Sequence, residues 1–275
     1  MRLLTNLKMC LATACLTTLA FPTYAADQLA RVKQAGELVV GTEMQFAPFD
    51  FLKDGKQEGF NKDFFAEVSK KLGVKVRFID LPWASVLPGL DAKKFDMVGG
   101  PLNVTKARME RYTFTLPIAD GTVALLKNVK NKDLNKPEDI AGKVVGSQRG
   151  SSQLAQLKEY ADTLSPKPEI KEYIDFNQAY ADLAAGRIVA VGHSITNLAV
   201  VAQQRSKQFE VVKPYFGKKV YFAFMGHKDA DSKSLLDAID QVILAMHKDG
   251  SLAALQKKWF GLEMEVPTGP FVPNV

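Results

Sequence analysis

The order of short strands and amphipathic helices constrains the fold of this chain more than any other feature of its sequence. Apolar stretches of strand length alternate with helical patterns twice over, first at 38–41, 74–81 and 95–100 and then at 142–147, 169–176 and 188–192. Strand, helix, strand, helix, strand is typical of a sheet with parallel strands and helices on both faces. We therefore predict an α/β protein with two mostly parallel sheets.

Two further strands follow these units instead of leading them, at 122–128 and 219–228, and a long amphipathic helix at 232–250 needs a sheet to cover. Both requirements are met if the chain crosses to a second lobe near residues 118–121 and returns near 214–218. This gives a discontinuous first lobe at 36–118 plus 219–265 and a second lobe at 119–218. Two crossings form a hinge, and the strand ends then line a ligand cleft between the lobes.

The first helix of the first unit has clear end signals. Asn61 is a residue type that caps helices, and Gly73 follows the last apolar residue, where a left-handed C-cap belongs. We therefore expect Asn61 to cap the start of this helix and Gly73 to end it.

Residues 1–25 read as a secretory signal peptide. Arg2 and Lys8 precede an apolar run that is too short to span a membrane, and Ala25 is a small residue at the predicted cleavage position. Both cysteines of the chain, Cys10 and Cys15, lie in this segment. The mature chain therefore offers neither a disulfide nor a thiolate site. The alternative is a lipoprotein anchor at Cys15, with less of the apolar run before it.

Composition argues against several classes of partner. The 36 basic and 30 acidic residues are spread along the chain, without the dense basic stripe interleaved with aromatics that nucleic-acid binding needs. The histidines His193, His227 and His247 form no metal-ligand spacing. We expect no nucleic-acid partner, no metal and no cofactor.

Seven blocks, in order along the chain, carry a resemblance to a known family. They are GTEMQFAPFDF (41–51), GFNKDFFAEVSKKLGVKV (59–76), WASVLPGLDAKKFDMV (83–98), LNVTKAR (102–108), GKVVGSQRGSSQ (142–153), AAGRIVAV (184–191) and DGSLAALQKKWFG (249–261). These blocks resemble the bacterial extracellular solute-binding proteins of polar amino-acid ABC transporters. The resemblance implies a two-lobed type II periplasmic-binding-protein fold. It further implies a periplasmic, non-enzymatic receptor that closes on an amino acid or related small carboxylate and presents it to a membrane ABC permease.

The resemblance assigns the carboxylate half of a site. Arg108 matches the arginine that binds the ligand α-carboxylate, a role suited to a planar guanidinium with two parallel donors. Asn103 and Thr105 belong to the same loop, and Thr105 is expected to cap the short helix that follows. Ligand contacts from the second lobe are expected at a helix start formed by Gly150, Ser151 and Ser152, where Ser151 and Ser152 are also candidate N-caps.

Other positions are assigned to the cleft wall or to the surface. Phe46 and Trp83 match aromatic positions around the ligand side chain, whereas Phe49 is expected in the core. Glu43 matches an acidic position that meets basic ligand side chains in some relatives. Arg111 and Arg149 are expected to be solvated surface charges.

One half of the site departs from the family pattern. Family members that bind amino acids use an aspartate to pair with the ligand ammonium. The matching position here is Ser194, or His193 if the match is shifted by one residue, and neither is a carboxylate. Either Glu43 supplies the counter-charge from the first lobe, or the ligand lacks an α-ammonium. An enzyme similar to periplasmic cyclohexadienyl dehydratases is an alternative, with Glu43 as the acid that protonates a leaving hydroxyl.

Overall fold

A computed structural model describes residues 26–261 and 263–275. The predicted signal peptide lies outside the described residues. None of the described helices is long and apolar enough to cross a membrane.

The described residues form the following helices and strands, each numbered in chain order. The helices are α1 (Gln28–Ala35), α2 (Phe60–Leu72), α3 (Trp83–Asp91), α4 (Lys106–Arg111), α5 (Ser152–Ala161), α6 (Phe176–Ala184), α7 (Ile195–Gln204), α8 (Ala230–Lys248) and α9 (Ser251–Phe260), with a 3-10 turn at Pro137–Ile140. The strands are β1 (Glu37–Thr42), β2 (Gln45–Phe46), β3 (Asp50–Lys53), β4 (Lys56–Glu58), β5 (Lys75–Asp80), β6 (Met97–Asn103), β7 (Tyr112–Phe114), β8 (Ala119–Asp120), β9 (Val123–Asn128), β10 (Val144–Gln148), β11 (Glu169–Tyr173), β12 (Ala190–Ser194), β13 (Phe209–Val212) and β14 (Tyr221–His227).

Two main sheets carry these elements. The first has the order β5-β1-β6-β14-β7, with β8 also paired to β14, and the second has the order β11-β10-β12-β9-β13. In each sheet the three strands of the βαβαβ unit are parallel, and the remaining strands pair antiparallel. The predicted α/β class and two-lobed fold with mostly parallel sheets are confirmed: among the described strands, β14 in the first sheet and β9 in the second run opposite to the others. The strands β2, β3 and β4 pair antiparallel in sequence order and form a small third sheet.

We use "first lobe" and "second lobe" for the elements built on the first and second sheets. The changes between sheets lie between residues 120 and 123 and between 212 and 221, because β8 and β14 pair in the first sheet while β9 and β13 pair in the second. The lobe limits given above stay a prediction. Separate buried cores lie against the two sheets: helices α2 and α8 cover the first, and α6 and α7 cover the second.

The two end signals of α2 had different outcomes. Gly73 ends the helix in the left-handed conformation at φ 70°, as predicted. The prediction that Asn61 caps it was wrong: Gly59 is the N-cap, and Asn61 is a fully buried residue of the first turn. Its Nδ2 donates to Asp50 Oδ2 at 2.6 Å and to the Gly99 carbonyl at 2.7 Å. A buried carboxylate needs donors, and this demand outweighs the local capping preference.

Candidate functional site

The ends of strands from both sheets meet at one gap between the lobes. Glu43 follows β1 and Asn103 ends β6 in the first lobe, whereas Gln148 ends β10 in the second. The gap encloses about 410 Å³, counting the part open to solvent. Its lining consists of Glu43, Phe46, Trp83, Val86, Gly100, Pro101, Leu102, Asn103, Arg108, Gln148, Ser152, Gln153 and Phe222.

Arg108 is the single cation among the described residues that line the gap. Thr105 caps α4, as predicted, by accepting from the Arg108 backbone N–H at 3.2 Å. The Arg108 guanidinium donates to the Asn103 carbonyl at 3.0 Å and lies 5.5 Å from the ring centroid of Trp83. It forms no ion pair within the described part of the chain, and desolvation lowers its pKa to about 10. A desolvated cation without an acid partner favours an anionic ligand.

Glu43 is the single carboxylate among the described lining residues. It is 7% exposed, and its two carboxylate oxygens accept from Gln148 Nε2 at 2.8 and 3.1 Å, across the gap. Burial raises the pKa of Glu43 to about 7, against the opposing effect of the Gln148 hydrogen bond. The carboxyl group therefore changes its charge near neutral pH.

The start of α5 brings hydroxyl and amide groups to the same gap. Ser151 is the N-cap, and its Oγ accepts from Leu154 N at 3.0 Å. Ser152 Oγ accepts from Asn103 Nδ2 at 3.0 Å and donates to Gln153 Oε1 at 3.3 Å. Ser152 and Gln153 line the gap, while Gly150 and Ser151 are not part of its lining.

The predicted aromatic residues divide as expected between wall and core. Phe46 and Trp83 line the gap and are partly exposed, and Phe49 is fully buried. Trp83 is the first residue of α3. Phe46 touches both lobes: its ring centroid lies 5.7 Å from that of Phe49 and 5.4 Å from that of His193.

His193 and Ser194, the candidates for the missing aspartate, do not line the gap. The His193 ring stacks on Phe176 at 3.5 Å between centroids, and its Nδ1 accepts from Ser194 N at 2.6 Å. Burial lowers the pKa of His193 well below its ordinary value, so the ring is neutral. Ser194 is fully buried, and its Oγ accepts from Gln153 Nε2 at 3.0 Å. Gln153 thus stands where a ligand would otherwise meet Ser194.

The structure brings six of the predicted site residues to the gap, namely Glu43, Phe46, Trp83, Asn103, Arg108 and Ser152, and leaves Thr105, Gly150, Ser151, His193 and Ser194 outside its lining. Their contact with a ligand stays a prediction. Sequence reasoning missed Gln148 and Gln153. Gln148 lies one residue past the predicted strand 142–147, so the strand-end rule that identified the other site residues would have indicated it.

The two arginines assigned to the surface are exposed. Arg111 pairs with Asp91 at 3.1 Å, and Arg149 pairs with Glu172 at 3.3 Å; both arginine side chains are about 70% exposed, at 69% and 70%. No group of three or more metal-ligating side chains occurs among the described residues.

Comparison with known proteins identifies the family. Residues 38–156 and 139–262 match the family described as bacterial extracellular solute-binding proteins, family 3. The chain is 30% identical over 240 residues to the L-cystine-binding protein TcyJ of Escherichia coli K12, covering 86% of this chain and 87% of that protein. It is 29% identical over 263 residues to a probable amino-acid ABC transporter-binding protein of Haemophilus influenzae, with coverage of 94% and 98%.

Two solved structures are similar to this chain in both sequence and fold. An ancestral arginine-binding protein bound to arginine is 30% identical with a TM-score of 0.74, covering 82% of this chain and 99% of its own. An ancestral amino acid-binding protein, described as a precursor of cyclohexadienyl dehydratase, is 28% identical with a TM-score of 0.74, covering 86% and 100%. The chain belongs to the bacterial extracellular solute-binding proteins, family 3.

Proposed function

We propose that this protein is the substrate-binding component of an ABC importer and that it binds an amino acid in the gap between its lobes. The observation that carries the proposal is Arg108, a partly buried cation that lines the gap and forms no ion pair among the described residues. A ligand carboxylate would supply the missing anion through parallel, charge-assisted hydrogen bonds. Several relatives are named as binding proteins for cystine, histidine or amino acids, which supports an amino acid as the ligand class.

Contacts across the gap support binding by hinge closure. Besides the Glu43–Gln148 and Asn103–Ser152 hydrogen bonds, Asn197 Nδ2 of the second lobe donates to the Ala47 carbonyl of the first at 2.7 Å. A ligand that touches both lobes favours the closed arrangement in which these bonds form. The closed protein would then be presented to a membrane permease in the periplasm, as the family resemblance implies.

The proposal is tested by replacing the carboxylate partner. Arg108→Met keeps an apolar stem of similar length and removes all the donors. We expect it to weaken amino-acid binding at least 100-fold, since two charge-assisted hydrogen bonds contribute about 1.5–3 kcal/mol each. Arg111→Met, on the same helix but with its exposed side chain outside the gap, is the matched control and should bind as the unmodified protein does.

Binding is measured by calorimetry after a thermal-shift screen of the twenty amino acids. The thermal midpoint of each unliganded variant shows that it is folded. Unchanged affinity in Arg108→Met would disprove the proposed site.

One observation favours a second function, an enzyme on the same fold. Glu43 has a pKa raised to about 7 in the gap that also contains Arg108, and an acid of this kind can donate a proton at neutral pH. One similar structure is described as a precursor of cyclohexadienyl dehydratase. Binding is the better supported function, because no second acid lines the gap among the described residues and several relatives are named as binding proteins. Incubation with prephenate or arogenate tests the alternative, and turnover that Glu43→Gln abolishes would establish it.

A further inference from the structure

We infer that Glu43 is the partner of the ligand's α-ammonium and that the site therefore takes amino acids with uncharged side chains. The inference rests on the proposed function and names the ligand class of the same gap.

Among the described residues, none of the second-lobe side chains that line the gap is an acid. These side chains are Gln148, Ser152 and Gln153, which carry dipoles but no charge. Ser194, at the position of the family aspartate, is fully buried and already accepts a hydrogen bond from Gln153. An ammonium that approached from this side would meet an amide, and an amide cannot neutralise it.

Glu43 has the placement that an ammonium partner needs. It lines the gap, and the donors it accepts from, the Gln148 side chain and the Trp83 backbone N–H, are neutral amides, so among the described residues no cation pairs with it before a ligand binds. Strands β1 and β6 are neighbours in the first sheet, with Gly41 opposite Val98. Glu43 follows the first of these strands, and Arg108 lies on the helix that follows the second. Both charges therefore line the gap from the first lobe, and one zwitterion in this gap would have a partner there for each of its charges.

Two other acids affect Glu43 but do not replace it. Asp80 and Asp175 both raise the pKa of Glu43 by charge repulsion. Asp80 accepts from Met44 N at 2.9 Å, and Asp175 caps α6 by accepting from Gln178 N at 2.9 Å. Neither lines the gap. Their repulsion is a further reason why a cation beside Glu43 is favourable.

The number of charged residues in the gap limits the charge of the ligand side chain. The described lining contains one cation and one acid, which match the carboxylate and the ammonium of one amino acid. Once both are used, a basic side chain would have no acid and an acidic side chain no cation, and burial of an unpaired charge is costly. The rest of the lining is amide, hydroxyl, aromatic and aliphatic, which suits an uncharged side chain.

The experiment compares each amino acid with its analogue lacking the amino group. The pairs are L-leucine with 4-methylpentanoate, L-phenylalanine with 3-phenylpropanoate and L-glutamine with glutaramate; L-arginine and L-glutamate are the charged probes. Dissociation constants are measured at pH 8 for the unmodified protein, for Glu43→Gln and for Glu37→Gln. Glu37 is the matched control, since it lies on β1 and pairs with exposed Arg77 at 2.8 Å, outside the gap.

We expect at least one amino acid of the three pairs to bind at least tenfold more tightly than its analogue, and more tightly than either charged probe. Glu43→Gln should remove this preference by weakening the amino acid and sparing the analogue, while Glu37→Gln keeps it. A merely structural role of Glu43 would weaken both members of a pair equally, leaving their ratio unchanged, and would overturn the inference. So would tightest binding of L-arginine or L-glutamate, although loss of that binding in Arg108→Met would leave the proposed function standing. Failure of every amino acid in the thermal-shift screen would overturn both.

Discussion

Acidification is expected to weaken amino-acid binding through Glu43. The ammonium binds the ionised carboxylate, and the pKa of Glu43 in the unliganded protein is about 7. At pH 5 only about 1% of the protein then has Glu43 ionised, so affinity should fall about 100-fold relative to pH 8, with about tenfold lost for each unit below 7. This corresponds to about 2.7 kcal/mol at 1.36 kcal/mol for each pH unit.

Proton release gives an independent measure of the same coupling. A bound ammonium favours the carboxylate and lowers the pKa of Glu43, so binding expels the proton. Calorimetry at pH 7 in buffers of different ionisation enthalpy should show about half a proton released per ligand, rising toward one at pH 6 and falling toward zero at pH 9. In Glu43→Gln the release should vanish. A constant affinity between pH 5 and 8, or proton release that persists in the variant, would refute the reasoning.

The unliganded protein should respond to pH with the opposite sign. Burial raises the pKa of Asp50, like that of Glu43, to about 7. In the unfolded chain both carboxyl groups ionise near pH 4, so between pH 4 and 7 these two groups bind more protons in the folded state, and their contribution to stability falls as pH rises. His193 and His247, whose pKa values burial lowers, have the opposite effect, but only below about pH 6.5, where the unfolded histidines bind protons. The thermal midpoint of the unliganded protein is therefore expected to drop between about pH 6.5 and 8, where the two carboxyl groups dominate and ligand affinity still increases. A midpoint that rises over that range would contradict the burial of these two acids.

Two substitutions test the packing between and within the lobes. Phe46→Ala removes the ring contacts with His193 and Phe176 of the second lobe. Each aromatic pair contributes about 0.5–1.5 kcal/mol, so the loss of both should weaken ligand binding by about 5- to 150-fold while the variant stays folded. Unchanged affinity would show that these contacts do not stabilise closure. Gly59→Ala should lower the free energy of unfolding by more than 3 kcal/mol in chemical denaturation, because Gly59 has φ 131° and an added Cβ would lie 2.1 Å from the Phe49 carbonyl oxygen; a stable variant would contradict this backbone.

Local sequence signals predicted much of the fold because they act over a few residues. The period of apolar residues placed the strands and helices of both units, and Gly73 and Thr105 were identified as end residues from residue type and position alone. The antiparallel placement of β9 and β14 depends on which strands meet after the chain crosses between lobes, and no local pattern encodes that. Asn61 shows the limit within a helix: its role depends on Asp50, whose burial the sequence does not reveal.

In the site too, local features could be predicted from the sequence and long-range contacts could not. Arg108 was predicted because it belongs to a short block, residues 102–108, that resembles the family pattern. Gln148 was missed because its contact with Glu43 joins positions 105 residues apart, in different lobes. A pairing of this kind becomes visible only when the fold has brought both strand ends to one gap.

The location of the charges also indicates an order of binding. Arg108 and Glu43 both belong to the first lobe, Glu43 just after β1 and Arg108 on the helix that follows the neighbouring strand β6, whereas the second lobe lines the gap with uncharged groups such as Gln148 and Gln153. A zwitterion would therefore satisfy both of its charges on the first lobe alone, before closure. The second lobe would then close over a ligand that is already neutralised, adding hydrogen bonds from amides and hydroxyls without having to desolvate a charge of its own. In a family member with the usual aspartate, the ammonium partner belongs to the second lobe, and neutralisation waits for closure. With Ser194 in place of that aspartate and Glu43 as the inferred ammonium partner, the electrostatic part of recognition would move to the open protein.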